Sequence, residues 1–82
     1  MPKFTYVYIL RSKIRPDKYY TGVTSDLRSR LKEHNSGGGC HTSRFHPWEI
    51  KTAIAFTDPG RARAFEVYLK SASGRAFAEK RL

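Results

Sequence analysis

The sequence predicts an α+β fold: a three-stranded antiparallel sheet flanked by helices, in the order β-β-α-β-α-α. Three observations carry this. Residues Phe4 to Leu10 are largely apolar on both faces, with Phe4, Tyr6, Tyr8 and Leu10 on one and Thr5, Val7 and Ile9 on the other. That pattern suits a central strand covered from both sides. A turn signal, Arg15-Pro16-Asp17, leads into a second β-branched and aromatic run, Tyr19 to Thr24, so the two runs form a hairpin. Two helical segments with capping residues are then separated by a third alternating run, Trp48 to Phe56.

The elements follow in order. Gly22 lies inside the second strand, where a glycine often marks close approach by a ligand or another backbone. Thr24-Ser25-Asp26 offers N-cap candidates for a helix to about Asn35, and Ser36-Gly37-Gly38-Gly39 ends it. The stretch to Pro47, with Cys40, His41, Arg44 and His46, reads as an irregular loop. After the third strand, Thr57-Asp58-Pro59-Gly60 supplies a cap and an N-terminal proline for a second helix to about Ser71. Ser73-Gly74 reads as a break, with a short third helix from Arg75 to Leu82.

The 82 residues allow one domain, residues 1–82, with a small and thin core. Sixteen Lys and Arg against seven Asp and Glu give a net charge of +9, which favours a polyanionic partner. The cations are spread along the chain and form no disordered basic tail. Arg28, Lys32, Arg44 and Lys70 are the candidate nucleic-acid contacts. A single cysteine, Cys40, rules out an intrachain disulfide and fits a reduced, cytoplasmic setting. No secretory h-region is visible, and no apolar run approaches the ~20 residues that cross a bilayer, so no membrane partner is expected.

Chemistry concentrates on the inward sides of the first two helices. At ~100° per residue, Leu27 and Leu31 mark the buried stripe of the first helix. Arg30 and His34 fall at its edge, while Arg28, Lys32 and Glu33 point elsewhere. Taken singly, Arg30 could lie over the core edge with its head in water, and His34 could serve the helix C-terminus. In the second helix Glu66 sits between Phe65 and Leu69 in angle, on the inward face with Ala62. An inward carboxylate needs a partner: an ion pair with Arg30, or a hard divalent cation completed by waters and phosphate oxygens. Tyr6, Tyr8 and Tyr20 are ordinary strand aromatics unless a neighbouring cation makes a phenolate accessible. His34, Cys40, His41 and His46 match no compact zinc-ligand spacing. No P-loop, dinucleotide fingerprint or serine triad occurs.

With these residues the chain resembles the GIY-YIG nuclease superfamily over nearly its whole length. The first motif stands as Tyr6-Val7-Tyr8, with Tyr-Val in place of Gly-Ile, and the second as Tyr20-Thr21-Gly22. Arg30 matches the family's arginine, ten residues beyond the second motif's tyrosine; His34 matches a frequent histidine one turn later. Glu66, in Ala64-Phe65-Glu66-Val67-Tyr68-Leu69-Lys70, matches the family's metal-binding glutamate. The chain is most similar to small stand-alone bacterial members and also to the amino-terminal nuclease domain of the nucleotide excision repair excinuclease. It has Val23 where that domain usually has lysine.

The resemblance implies a DNA endonuclease of low intrinsic sequence specificity, working in repair or recombination. Tyr8, Tyr20, Arg30, His34 and Glu66 are its implied catalytic residues. Glu66 would hold one Mg²⁺ or Mn²⁺ per site, Tyr8 or His34 would take the proton from water, and Arg30 would stabilise developing charge. RNA as substrate, and larger repair or recombination proteins as partners, belong to the same reading. The competing readings are a nucleic-acid-binding module without turnover and an adaptor domain.

Overall fold

The computed structural model describes residues 3–36 and 43–82. Its elements are β1 (Thr5–Ser12), β2 (Tyr19–Thr24), α1 (Leu27–Asn35), one turn of 3-10 helix (Ser43–Phe45), β3 (Trp48–Phe56), α2 (Pro59–Leu69) and α3 (Ala72–Arg81). The strands form one antiparallel sheet in the order β2-β1-β3. The doubly apolar strand therefore lies in the middle, as its pattern requires.

Side chains alternate across β1 and divide the core into two layers. On one face Val7 and Ile9 meet Ala62 and Leu69 of α2, with Val23, Phe56, Phe65, Ala78 and Leu82 around them. On the other, Tyr8, Leu10 and Trp48 meet Tyr20, Leu27, Leu31 and Phe45. Helix α1 thus covers the Tyr8 face, and α2 with α3 covers the Val7 face. Leu10 is completely buried, and truncating it to alanine should cost about 2–5 kcal/mol.

Each element is secured locally. The Arg15 carbonyl accepts the Lys18 N–H at 2.8 Å, closing the hairpin turn around Pro16. Asp26 caps α1 by accepting the Ser29 N–H at 3.1 Å. Asp58 caps α2 through Gly60 and Arg61, with Pro59 in its first turn. The Asn35 side chain brackets Trp48, accepting its N–H and donating to its carbonyl, which ties the end of α1 to the start of β3. A bulge in β3 sets Ile9 against Thr52 and Leu10 against Ile50, leaving Lys51 as the extra residue.

Some boundaries differ from expectation. β1 runs on to Ser12, whose buried hydroxyl donates to the Phe45 carbonyl at 2.6 Å and accepts the Arg15 N–H. The loop before Pro47 contains a 3-10 turn. α2 stops at Leu69, and α3 begins at Ala72, capped by the Ser71 hydroxyl, which accepts the Gly74 N–H. Gly74 does not break the chain there. It lies inside the first turn of α3, where a Cβ would stand 1.8 Å from the Tyr68 carbonyl oxygen. A glycine lets the end of α2 approach that closely. Gly37, Gly38, Gly39, Cys40 and His41 lie outside the described residues.

Candidate active site

Strands β1 and β2 and helix α1 bring Tyr8, Tyr20, Arg30 and His34 together. Tyr8 and Tyr20 share a sheet face because Tyr8 pairs with Gly22 and Leu10 with Tyr20. The Tyr8 ring lies over Gly22, where an added Cβ would stand 2.5 Å from the hydroxyl and 2.6 Å from the ring carbon bearing it. Gly22 is thus the close-approach position its place in the strand suggested. One turn of α1 separates Arg30 from His34, so both reach the same spot.

The contacts are specific. Arg30 Nε donates to the Tyr8 hydroxyl at 3.3 Å. The same hydroxyl lies 3.1 Å from His34 Nε2 in a buried contact. Tyr20 packs its ring 4.6 Å from the His34 ring. Arg30 also donates through Nη1 to Glu33 at 2.8 Å. Glu33, expected to point away, instead reaches back along the helix to hold the guanidinium. The helical wheel correctly put its Cβ outside the stripe, but a long arginine can turn to meet it.

Electrostatics follow from burial. Desolvation, partly offset by Arg30, pushes the Tyr8 phenol above its ordinary value of 10.0. Desolvation, with the Arg30 charge behind it, holds His34 below 6.5. The Tyr8 hydroxyl, chiefly, raises the Arg30 guanidinium above its usual range, so it is a permanent cation. At neutral pH the cluster therefore holds a neutral phenol, a neutral imidazole and a fixed positive charge. Arg30 can only donate, so the Tyr8 oxygen accepts from it and its own proton is available to His34 Nε2.

Glu66 stands apart from these contacts. Its helix belongs to the layer on the other face of the sheet. Its side chain is 15% exposed and pairs with Lys70 one turn on. The Arg30 pairing open to it in the sequence is not formed; Arg30 is held by Tyr8 and Glu33. Among the described residues no group of three or more His, Cys, Asp or Glu is placed to hold a metal. A cation here would rest on a single carboxylate, a donor set that suits a water-completed Mg²⁺ and no all-protein cage. Arg28, Lys32, Arg44 and Lys70 are all at the surface.

Residues 4–80 match the GIY-YIG catalytic domain. The chain belongs to the GIY-YIG family. Within that nuclease family it is similar to UPF0213 protein BH0048 of Halalkalibacterium halodurans, 37% identical over 71 residues that make up 85% of this chain and 73% of that protein. The solution NMR structure of UPF0213 protein BH0048 from Bacillus halodurans superposes with a TM-score of 0.55 at 34% identity, covering 93% of this chain and 80% of that one. The chain is also similar to structure-specific endonuclease subunit SLX1. Identity is 33% to that of Scheffersomyces stipitis and 42% to that of Chaetomium globosum, each over 80% of this chain. It spans only 21% and 22% of those two proteins, so the likeness is to one domain within each.

Sequence reasoning passed over two supporting residues of the site. The carboxylate of Glu33 gave only an i, i+3 spacing to Arg30 as its signal. Asn35 is one residue past His34 and fixes the end of its helix through Trp48.

Proposed function

We propose that the chain is a divalent-metal-dependent endonuclease that hydrolyses DNA phosphodiester bonds with low intrinsic sequence specificity, in DNA repair or recombination. The observation that carries this reading is the Tyr8 hydroxyl held between Arg30 Nε and His34 Nε2. Family membership supplies the reaction class, and the net charge of +9 suits a polyanionic substrate.

In the mechanism we infer, Tyr8 takes a proton from the attacking water while passing its own to His34 Nε2. His34 is suited to receive it because burial keeps the imidazole neutral. Arg30 stabilises the charge that builds on the phosphoryl oxygens and holds the Tyr8 oxygen in place. Tyr20 fixes the plane of the His34 ring by packing against it. Glu66 is the residue that would hold Mg²⁺ or Mn²⁺, and Lys70 must then give way. The ion, when bound, supplies charge neutralisation at a phosphate oxygen. Arg28, Lys32 and Arg44 provide exposed charge for the flanking backbone.

Supercoiled plasmid is the direct substrate for a test. Nicked product should accumulate with Mg²⁺ or Mn²⁺ and vanish with chelator. Tight plasmid binding without any nicking under either metal would instead support the binding-module reading.

A further inference from the structure

The face of the sheet opposite Tyr8 carries a groove of about 780 Å³ between β2 and the α2–α3 corner. Ile9, Thr21, Leu69 and Ala78 line it with largely apolar surface. Its cations are Lys18, Lys51, Lys70 and Arg75, against the carboxylates of Asp17 and Glu79. Asp17 is engaged by Arg15 at 3.4 Å, Lys70 pairs with Glu66 and the Lys18 ammonium lies over the Phe45 ring, which leaves Lys51 and Arg75 against Glu79 and a positive balance. Tyr19 stands at the groove and is 53% exposed, so its ring is accessible to a ligand there. The bulge residue Lys51 reaches across β1 and holds its ammonium 5.3 Å from the centre of the Tyr19 ring.

An exposed aromatic ring beside an apolar floor, with cations around it, is the chemistry that holds unpaired nucleotides: bases stack on the ring and phosphates meet the cations. Base pairs in an intact duplex keep their faces stacked on each other and have none to offer Tyr19. We propose that this groove binds an unpaired DNA strand, stacked on Tyr19 with phosphates on Lys51 and Arg75, an inference that rests on the DNA-cleaving reading above. The groove gives the enzyme a means to select branched or frayed duplexes over intact ones, since it engages the loose strand on the face opposite the Tyr8 cluster.

Fluorescence anisotropy with a labelled short single-stranded oligonucleotide and a blunt duplex, both in chelator, tests this without cleavage. Tyr19→Ala should weaken single-strand binding roughly tenfold and leave duplex binding unchanged. Lys51→Glu should weaken single-strand binding further. Both residues are exposed, and equal unfolding midpoints would show that the fold is kept. Wild-type protein that fails to bind the single strand, or variants that bind it as tightly as wild type, would overturn the proposal. Tyr8→Phe separates the two readings. It should keep full single-strand affinity even where it cuts nothing, so failure of the groove and failure of the catalytic site give different results.

Discussion

The Tyr8 hydroxyl lies 3.1 Å from His34 Nε2 in a buried contact between residues 26 apart in the chain. The central strand supplies one partner and the last turn of α1 the other. Arg30 donates to the same oxygen, and with the His34 proton on Nδ1 the phenol donates to the imidazole. In the mechanism we propose, that arrangement makes His34 the final proton acceptor and Tyr8 the relay, and it has a consequence in pH dependence.

His34 must be neutral to accept a proton, and its pKa lies below 6.5. The cleavage rate should therefore be level near neutrality and fall as pH drops through a midpoint below 6.5. A mechanism through pre-formed Tyr8 phenolate would look different, because that phenol titrates above 10.0 and the rate would climb throughout the alkaline range. The same shift affects folding. The unfolded chain binds the His34 proton more readily than the folded one, so its contribution to stability is lost as pH falls below 6.5. A pH–rate profile of single-turnover cleavage, with unfolding midpoints at each pH, checks both.

Arg30→Ala should lower the rate by about 10²–10³ while weakening DNA binding only slightly, since many other cations remain. Arg30→Lys should rescue little, because a point charge cannot hold Tyr8 and Glu33 together as the planar fork does. Rate and affinity measured on the same preparations distinguish a transition-state role from simple substrate attraction.

Glu66→Gln should abolish cleavage and Mg²⁺ binding and leave the fold intact. Lys70→Met frees the carboxylate from its ion pair and should lower the Mg²⁺ concentration needed for half-maximal activity. Calorimetric titration of Mg²⁺ into the three proteins would reject the assignment of Glu66 if the affinity of the glutamine variant were unchanged.

Two glycines carry opposite kinds of close contact, and alanine should separate them. Gly22→Ala would press on the Tyr8 hydroxyl and should cost about 1–3 kcal/mol together with the activity, since the seat of the ring is lost. Gly74→Ala meets a backbone carbonyl that cannot move without parting α2 from α3, so its cost falls on stability first. Thermal unfolding beside plasmid cleavage would show whether the two losses divide in this way.

Much of this is legible in the chain. Apolar residues on both faces of Phe4 to Leu10 place that strand in the centre, and the 3.6-residue period of α1 puts Arg30 and His34 beside Leu27 and Leu31. Local capping chemistry narrows the helix starts to Thr24-Ser25-Asp26 and Thr57-Asp58-Pro59-Gly60, within which Asp26 and Asp58 are the caps. What escapes depends on contacts distant in sequence or on long side chains. Gly74 reads as a breaker because its reason for being glycine, the Tyr68 carbonyl, is visible only once α2 and α3 are packed. Glu33 is placed by helical angle, which describes where a Cβ points and not where a flexible chain ends, and Lys70 reads as a nucleic-acid contact although it pairs with Glu66. The groove beside Tyr19 needs the sheet, the bulge at Lys51 and the α2–α3 corner together.

Everything in the proposed chemistry turns on the Tyr8 hydroxyl, between Arg30 and His34, being the reacting group of this enzyme. Single-turnover plasmid cleavage in Mg²⁺ by wild type and Tyr8→Phe, a change of one oxygen atom, addresses it without intermediaries. Loss of its hydrogen bonds should lower stability by only about 1 kcal/mol, so the variant stays folded. Cleavage should be slower by about 10²–10³ with duplex binding retained. A folded Tyr8→Phe protein that cuts at the wild-type rate would remove Tyr8 from the chemistry.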